Sequence, residues 1–229
     1  MCGFISVFSK NSSEVTSFKE KEKELMRLIE KRGPDITSRL VEKNMFISHA
    51  LLAINDYVTQ PIENENYIVF MTGELYNEEA LKYGNDTKWV LEYLTLGKNL
   101  KDLDGEFIIR AIHKKTKELL IISDPFATKP CFVAMSDETI SISSYSEPLF
   151  DYFENKAKIF EFPPNGILRF DLESYNIKSF HENIDWDFNP RKKNFEDWNN
   201  AFKKAIRKRT NTDKSIFLGL SSGYDSGLI

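Results

Sequence analysis

A run of short strand-like segments sets the limits on this fold. "CGFISVFS", "NMFISHALLAI", "NYIVFMTG", "EFIIRAIHKK", "ELLIISD", "CFVAM", "TISISS" and "GILRFD" are rich in β-branched and aromatic residues and are separated by charged or turn-rich joints. "HKKTKELL" reads as a hairpin connection. Helical spacing is found in fewer places. "SSEVTSFKEKEKELMRLIEKRG" predicts one helix, capped by Ser12 or Ser13, striped by Leu25, Leu28 and Ile29 and stopped by Gly33 and Pro34. "NEEALKYG" predicts a short helix, and "TKWVLEYLTLG" a longer one stopped by Gly97. Strands and helices do not alternate regularly, so the expectation is an α+β fold with mixed sheets in packed layers.

The pattern changes near "ENIDWDFNPRKKNF", which is polar, contains Pro190 and has no sustained apolar period. Beyond it, "FEDWNNAFKKAIRKR" repeats Phe195, Trp198, Phe202, Ala205 and Ile206 at helical intervals, and "SIFLGL" is a continuous apolar run suited to a parallel strand covered on both faces. The basic "KKAIRKR" is the solvated face of that helix. The expected organisation is a large domain over residues 2–185, a linker over 186–194, and the start of an α/β domain over 195–229.

Composition narrows the setting. The chain has 229 residues, 41% hydrophobic and 29% charged, with no stretch of the roughly eighteen apolar residues that a membrane span needs and no signal-peptide pattern at its start. A cytoplasmic protein without a membrane partner is expected. Net charge −4 argues against nucleic acid as a partner. Cys2 and Cys131 are the only cysteines, too far apart and too few for a disulfide framework or a zinc site; Cys131 reads as a buried apolar residue.

Cys2 is the candidate nucleophile. Removal of Met1 would leave its thiol and a free α-amine on one residue, and an α-amine of pKa about 7.7–8.0 can take the thiol proton at neutral pH. The neighbouring motifs give this weight: "KRGPD" at 31–35, "SHALLAINDYVTQP" at 48–61, "TGELYNEEAL" at 72–81, "ISDPFATKP" at 122–130 and "LSSGYDSG" at 220–227.

In that order the motifs resemble the asparagine synthetase family, in which a class II, N-terminal-nucleophile glutamine amidotransferase domain precedes an ATP-pyrophosphatase synthetase domain. The resemblance runs from residue 2 to the end. It implies a four-layer α/β/β/α sandwich followed by the first helix and strand of a truncated phosphate-loop domain. It also implies that Cys2 attacks the side-chain amide of glutamine and that the ammonia released passes to a carboxylate activated by ATP. By the same resemblance Arg32 belongs to a loop near the active site, and Thr72 and Gly73 stand where the family stabilises the oxyanion. Glu74 adjoins them, and Asp86 matches the acidic residue that binds the α-amino group of glutamine. Ser221, Ser222, Gly223, Asp225 and Ser226 match a phosphate-binding loop, whose backbone amides close around phosphate at a strand-to-helix turn. ATP and Mg2+ are therefore expected cofactors of a full-length protein and none is expected for these 229 residues. The acceptor carboxylate is unassigned, and a homodimer is allowed for.

Two positions depart from the family. Leu51 stands where an arginine binds the α-carboxylate of glutamine, and Thr72 replaces the oxyanion asparagine with a shorter hydroxyl arm. Ser222 replaces a glycine of the phosphate loop. The rivals to an active amidotransferase are consequently a synthetase with a degenerate glutaminase half and a non-catalytic binding domain. Of the histidines, His49 is expected beside the pocket, His113 at a hairpin end and His181 in a loop.

Overall fold

In this computed structural model the described residues are 2–54, 57–189, 191–210, 212 and 214–228, without the side chains of 225 and 228. They divide into two compact units, Met1–Asp185 and Trp186–Ile229.

The first unit is built on two six-stranded antiparallel sheets. One holds β1 (Gly3–Ser9), β2 (Ile36–Glu42), β3 (Met45–Leu51), β8 (Phe132–Met135), β9 (Thr139–Ser143) and β10 (Lys158–Glu161), in the order β10-β8-β9-β1-β3-β2. The other holds β4 (Ile62–Glu63), β5 (Tyr67–Leu75), β6 (Gly105–His113), β7 (Glu118–Ser123), β11 (Gly166–Asp171) and β12 (Asn176–Glu182), in the order β12-β11-β7-β6-β5-β4. Period-two alternation then assigns side chains to faces. Phe4 and Phe8 of β1 meet Ile47 of β3, Ile68 and Phe70 of β5 and Ile108 and Ile112 of β6 in a core drawn from both sheets. Ile5 and Val7 turn the other way, into a cluster with Val15 and Phe18 of α1 (Ser12–Glu20) and Leu149 and Phe153 of α5 (Glu147–Phe153). On the far side of the second sheet, Val69, Met71 and Ile109 pack against Ala80 of α3 (Glu78–Tyr83) and Trp89, Val90 and Tyr93 of α4 (Asp86–Thr95). Strands covered on both faces have no polar face to show. For that reason β1 and β3 are buried along their whole length, the polar Ser6, Ser9, Ser48 and His49 included.

Several expectations need correction. The long helix at 12–33 is broken into α1, α2 (Glu22–Leu25) and a 3-10 turn at Ile29–Arg32, because Leu25, Met26 and Ile29 must all reach the first sheet's outer cluster. Its cap is Asn11, whose side chain accepts from the Ser13 N–H at 3.0 Å, rather than Ser12 or Ser13. Gly33 is not a left-handed stop, its φ being −140°. It is glycine because a Cβ there would lie 2.1 Å from the carbonyl oxygen of Ala50 on β3. His181 lies on β12, not in a loop. That strand, together with β2, escaped the reading because each is an edge strand largely open to solvent, with weak alternation.

The second unit contains α6 (Glu196–Arg209) and α7 (Tyr224–Leu228). The strand expected at "SIFLGL" does not form: residues 215–220 carry no regular structure and are exposed. A parallel strand takes its hydrogen bonds from neighbours, and no other segment of this unit's described residues is extended beside it. None of the described residues from Trp186 onward is buried. No helix among the described residues is long and apolar enough to cross a membrane, and no cluster of three or more His, Cys, Asp or Glu is placed to hold a metal.

Candidate active site

Cys2 enters β1 at the edge of the inter-sheet core. Its sulfur lies 3.4 Å from the Leu52 N–H that donates to it and 3.8 Å from the Leu52 carbonyl oxygen. The Nε–H of Arg32 donates to the Cys2 carbonyl oxygen at 3.2 Å, and the guanidinium lies 5.3 Å from the ring centre of Tyr145. Arg32 thus fixes the backbone of Cys2 and is not among the described residues lining the cleft beside it. Asp35 of the same segment accepts the Ala53 N–H at 2.7 Å and ties the chain just beyond Leu52. Burial raises the Cys2 thiol pKa above its ordinary value; the Leu52 N–H pulls it back down, and Glu74 adds to the rise.

A cleft of about 70 Å3 opens beside the sulfur, lined by Cys2, Leu51, Gln60, Gly73, Glu74 and Asp86 among others. Its floor is one edge of β5. Phe107, opposite Gly73 in the ladder, spends its N–H on the Asp124 carboxylate at 3.0 Å and its carbonyl on the Asp124 N–H at 3.0 Å, so it does not exchange bonds with Gly73. The N–H groups of Met71, Gly73 and Leu75 therefore share the other edge. Met71 donates to Gln60 Oε1 at 2.7 Å and Leu75 to Asp86 Oδ2 at 2.9 Å, and the Gly73 N–H stands between them, facing the cleft. Gly73 has φ +128°, and a Cβ would lie 1.9 Å from the Glu106 carbonyl oxygen. Glycine is required here by the close approach of β6.

The "ISDPFATKP" segment explains itself in the same geometry. Asp124 is fully buried, and besides Phe107 it accepts from the N–H groups of Phe126 at 2.9 Å and Thr128 at 3.0 Å and from the Thr128 hydroxyl at 2.6 Å. It is a structural hub that sets the start of β6 against Gly73.

Asp86 opens α4, where Asn85 caps the helix by accepting the Lys88 N–H at 3.0 Å. Burial raises the Asp86 carboxyl pKa, and its hydrogen bonds with Leu75 and Glu74 hold that rise back. Among the described residues two carboxylates, Glu74 and Asp86, line the cleft, and no lysine or arginine does. Thr72 is one residue behind the wall: it is 2% exposed, is not part of the lining, and its hydroxyl is buried without a hydrogen-bond partner. Gln60, which holds the cleft edge of β5, was missed by sequence reasoning; nothing in its local pattern announces a side chain that substitutes for a strand.

The phosphate-loop residues lie in the second unit. There the Ser221 N–H donates to Ser226 Oγ at 3.0 Å, the Gly223 N–H donates to Ser221 Oγ at 3.1 Å, and the Ser226 hydroxyl donates to the Ser221 carbonyl oxygen at 3.2 Å. Ser221, Ser222 and Gly223 are exposed, and the side chain of Asp225 lies outside the described residues. The Ser221 and Gly223 amides are thus turned onto the loop's own hydroxyls.

Residues 1–203 match the model of the glutamine amidotransferase domain. The chain belongs to that family. Over its whole length the amidotransferase chain is 30% identical to asparagine synthetase [glutamine-hydrolyzing] 1 of Lotus japonicus and to asparagine synthetase [glutamine-hydrolyzing] of Asparagus officinalis, and 28% identical to asparagine synthetase [glutamine-hydrolyzing] 2 of rice, Oryza sativa subsp. japonica. It spans 41% of the length of each. Its fold is similar to that of the allosteric regulatory enzyme of purine biosynthesis, with a TM-score of 0.59 at 16% identity over 82% of this chain and 50% of the other. It is also similar to glutamine phosphoribosylpyrophosphate amidotransferase from B. subtilis, with a TM-score of 0.55 at 15% identity over the same shares. The amidotransferase domain is therefore of the asparagine synthetase type.

Proposed function

We propose that residues 2–185 form a four-layer α/β/β/α glutaminase domain in which Cys2, freed by removal of Met1, is the nucleophile. The observation that carries this is the Gly73 N–H, presented to a cleft that also holds the Cys2 sulfur, between amides already engaged by Gln60 and Asp86. The sulfur attacks the amide carbon while the α-amine of Cys2 takes the thiol proton. The oxyanion of the tetrahedral adduct accepts from the Gly73 N–H. The carbon–nitrogen bond then breaks, the amide nitrogen regains the proton from the α-ammonium and leaves as ammonia, and water cleaves the thioester to release the acid. Asp86 and Glu74 suit the α-ammonium of the donor. In a longer protein the ammonia would pass to a carboxylate activated with ATP and Mg2+, as the names and lengths of the relatives suggest.

A second reading draws on a specific observation. Leu51 lines the cleft, and with Glu74 and Asp86 it leaves the donor's α-carboxylate no cationic partner in the lining. An unpaired carboxylate against leucine is costly, so glutamine is handled poorly or the natural donor amide lacks that carboxylate. Ammonia release from glutamine by wild-type protein, abolished in Cys2→Ser, is the expected result. Release that survives Cys2→Ser contradicts the assignment of the nucleophile.

A further inference from the structure

The inter-sheet core contains one residue that neither the family resemblance nor the cleft accounts for. Arg110, at the centre of β6, is fully buried. Alternation turns it inward with Ile108 and Ile112, and its guanidinium carbon lies 3.3 Å from the ring centre of Phe4 and 4.5 Å from that of Phe70. Phe4 is two residues from Cys2. The Nε–H donates to the Phe70 carbonyl oxygen at 3.3 Å, whereas Nη1 and Nη2 have no hydrogen-bond partner, and no carboxylate among the described residues pairs with the charge.

The same row holds two further unpartnered atoms. His49, opposite Phe4 on β3, turns Nε2 to the Met71 carbonyl oxygen at 3.2 Å and leaves Nδ1 alone, and the Thr72 hydroxyl is alone as well. An isolated buried cation costs several kcal/mol, and aromatic faces repay only part of that. Burial brings even the arginine's pKa down to about 9. A charge kept at such cost against the ring of Phe4, two residues from Cys2, is offset when negative charge develops at the Cys2 sulfur.

We propose that Arg110 is a positioning residue for the nucleophile: its uncompensated guanidinium stabilises the negative charge that develops at the Cys2 sulfur and then at the adduct oxygen. Its role rests on Cys2 being the nucleophile. Besides Arg110, the charges that act on the Cys2 thiol are the α-amino group and Glu74 on β5; Arg32 bonds the Cys2 carbonyl, Asp86 of α4 lines the same cleft, His49 on β3 is neutral, and the buried Cys131 thiol also faces the guanidinium. Glu74 opposes thiolate formation, the Arg32 bond is to backbone, and Arg110 is the side-chain cation that favours it.

The test is the pH dependence of Cys2 alkylation by iodoacetamide, in which the thiolate displaces iodide and a carbon–sulfur bond forms. Cys131 does not compete, being 2% exposed with its thiol pushed up to about 12 by burial. Arg110→Met should raise the midpoint by about one pH unit and slow alkylation at neutral pH about tenfold, the size of effect a nearby opposite charge exerts. An unchanged midpoint overturns the proposal. Should the variant fail to fold, the wild-type protein decides: the Arg110 Nε–H resonance should move with pH at the same midpoint as alkylation and become flat in Cys2→Ser. A resonance already flat in the wild type overturns the proposal equally. Neither measurement uses glutamine, so loss of the glutaminase reading would leave both interpretable.

Discussion

At the scale of single residues, Leu51 and Thr72 are two positions where the sequence departs from the family's motifs, and substitutions there should have separable effects. Leu51→Arg should lower the KM for glutamine by up to about a hundredfold, the equivalent of 1.5–3 kcal/mol for one charge-assisted bond. Thr72 sits behind the cleft wall and its short hydroxyl arm does not reach the cleft; Thr72→Asn, with a longer donor arm acting on the oxyanion and not on bound substrate, should instead raise kcat by about tenfold or more. Ammonia release across the single and double variants separates the two; a change in both parameters from either variant would show that the two positions share one role. His49 supplies a pH signature. Its folded pKa is lowered to about 3 by burial and by Arg110, against an ordinary value of 6.5. The unfolded chain therefore binds a proton below pH 6.5 that the folded chain refuses, so stability is full above that pH and is lost as pH falls toward 3. Between pH 6.5 and 5, before most carboxylates titrate, the slope should be up to about 1.4 kcal/mol per pH unit in urea unfolding. His49→Gln should flatten it; a slope that persists would assign the effect elsewhere.

At the scale of elements, the site depends on the register of β5 against β6. Gly73 opposite Phe107, with Asp124 holding Phe107 from the other side, turns one free amide into the cleft. Gly73→Ala places a methyl group against the Glu106 carbonyl, and should cost about 3 kcal/mol or more in chemical denaturation and remove ammonia release with it. A fully stable variant would mean that β5 slides freely on β6. The same elements explain what could be read in advance. Strands buried on both faces, such as β1, β3 and β5, carry their signal in composition; Cys2 sits just before β1 and Gly73 near the end of β5, while Asp86 opens α4. Edge strands β2 and β12, half exposed, carry little. Arg110 was illegible for another reason: in "EFIIRAIHKK" a charged residue inside an apolar run gives no hint that it points into the core, and only alternation relative to Ile108 and Ile112 settles its face. Helix breaks at Lys21 and Leu28 depend on what Leu25 and Ile29 must touch, which is tertiary information.

At the scale of the whole molecule, residues from distant parts of the chain meet in one cleft: Cys2 from the N-terminal end, Leu51 from β3, Gly73 from β5 and Asp86 from α4. The described residues that line the cleft all belong to the first unit. The central claim is that this assembled cleft presents the Cys2 sulfur to a glutamine-like amide, and labelling with diazo-oxo-norleucine followed by intact-mass measurement and peptide mapping tests it most directly. The expected result is a chain lacking Met1 that carries one adduct, on Cys2, with Cys131 unmodified. Retained Met1, an adduct on Cys131 alone, or no adduct on a chain whose Cys2 is free would contradict it.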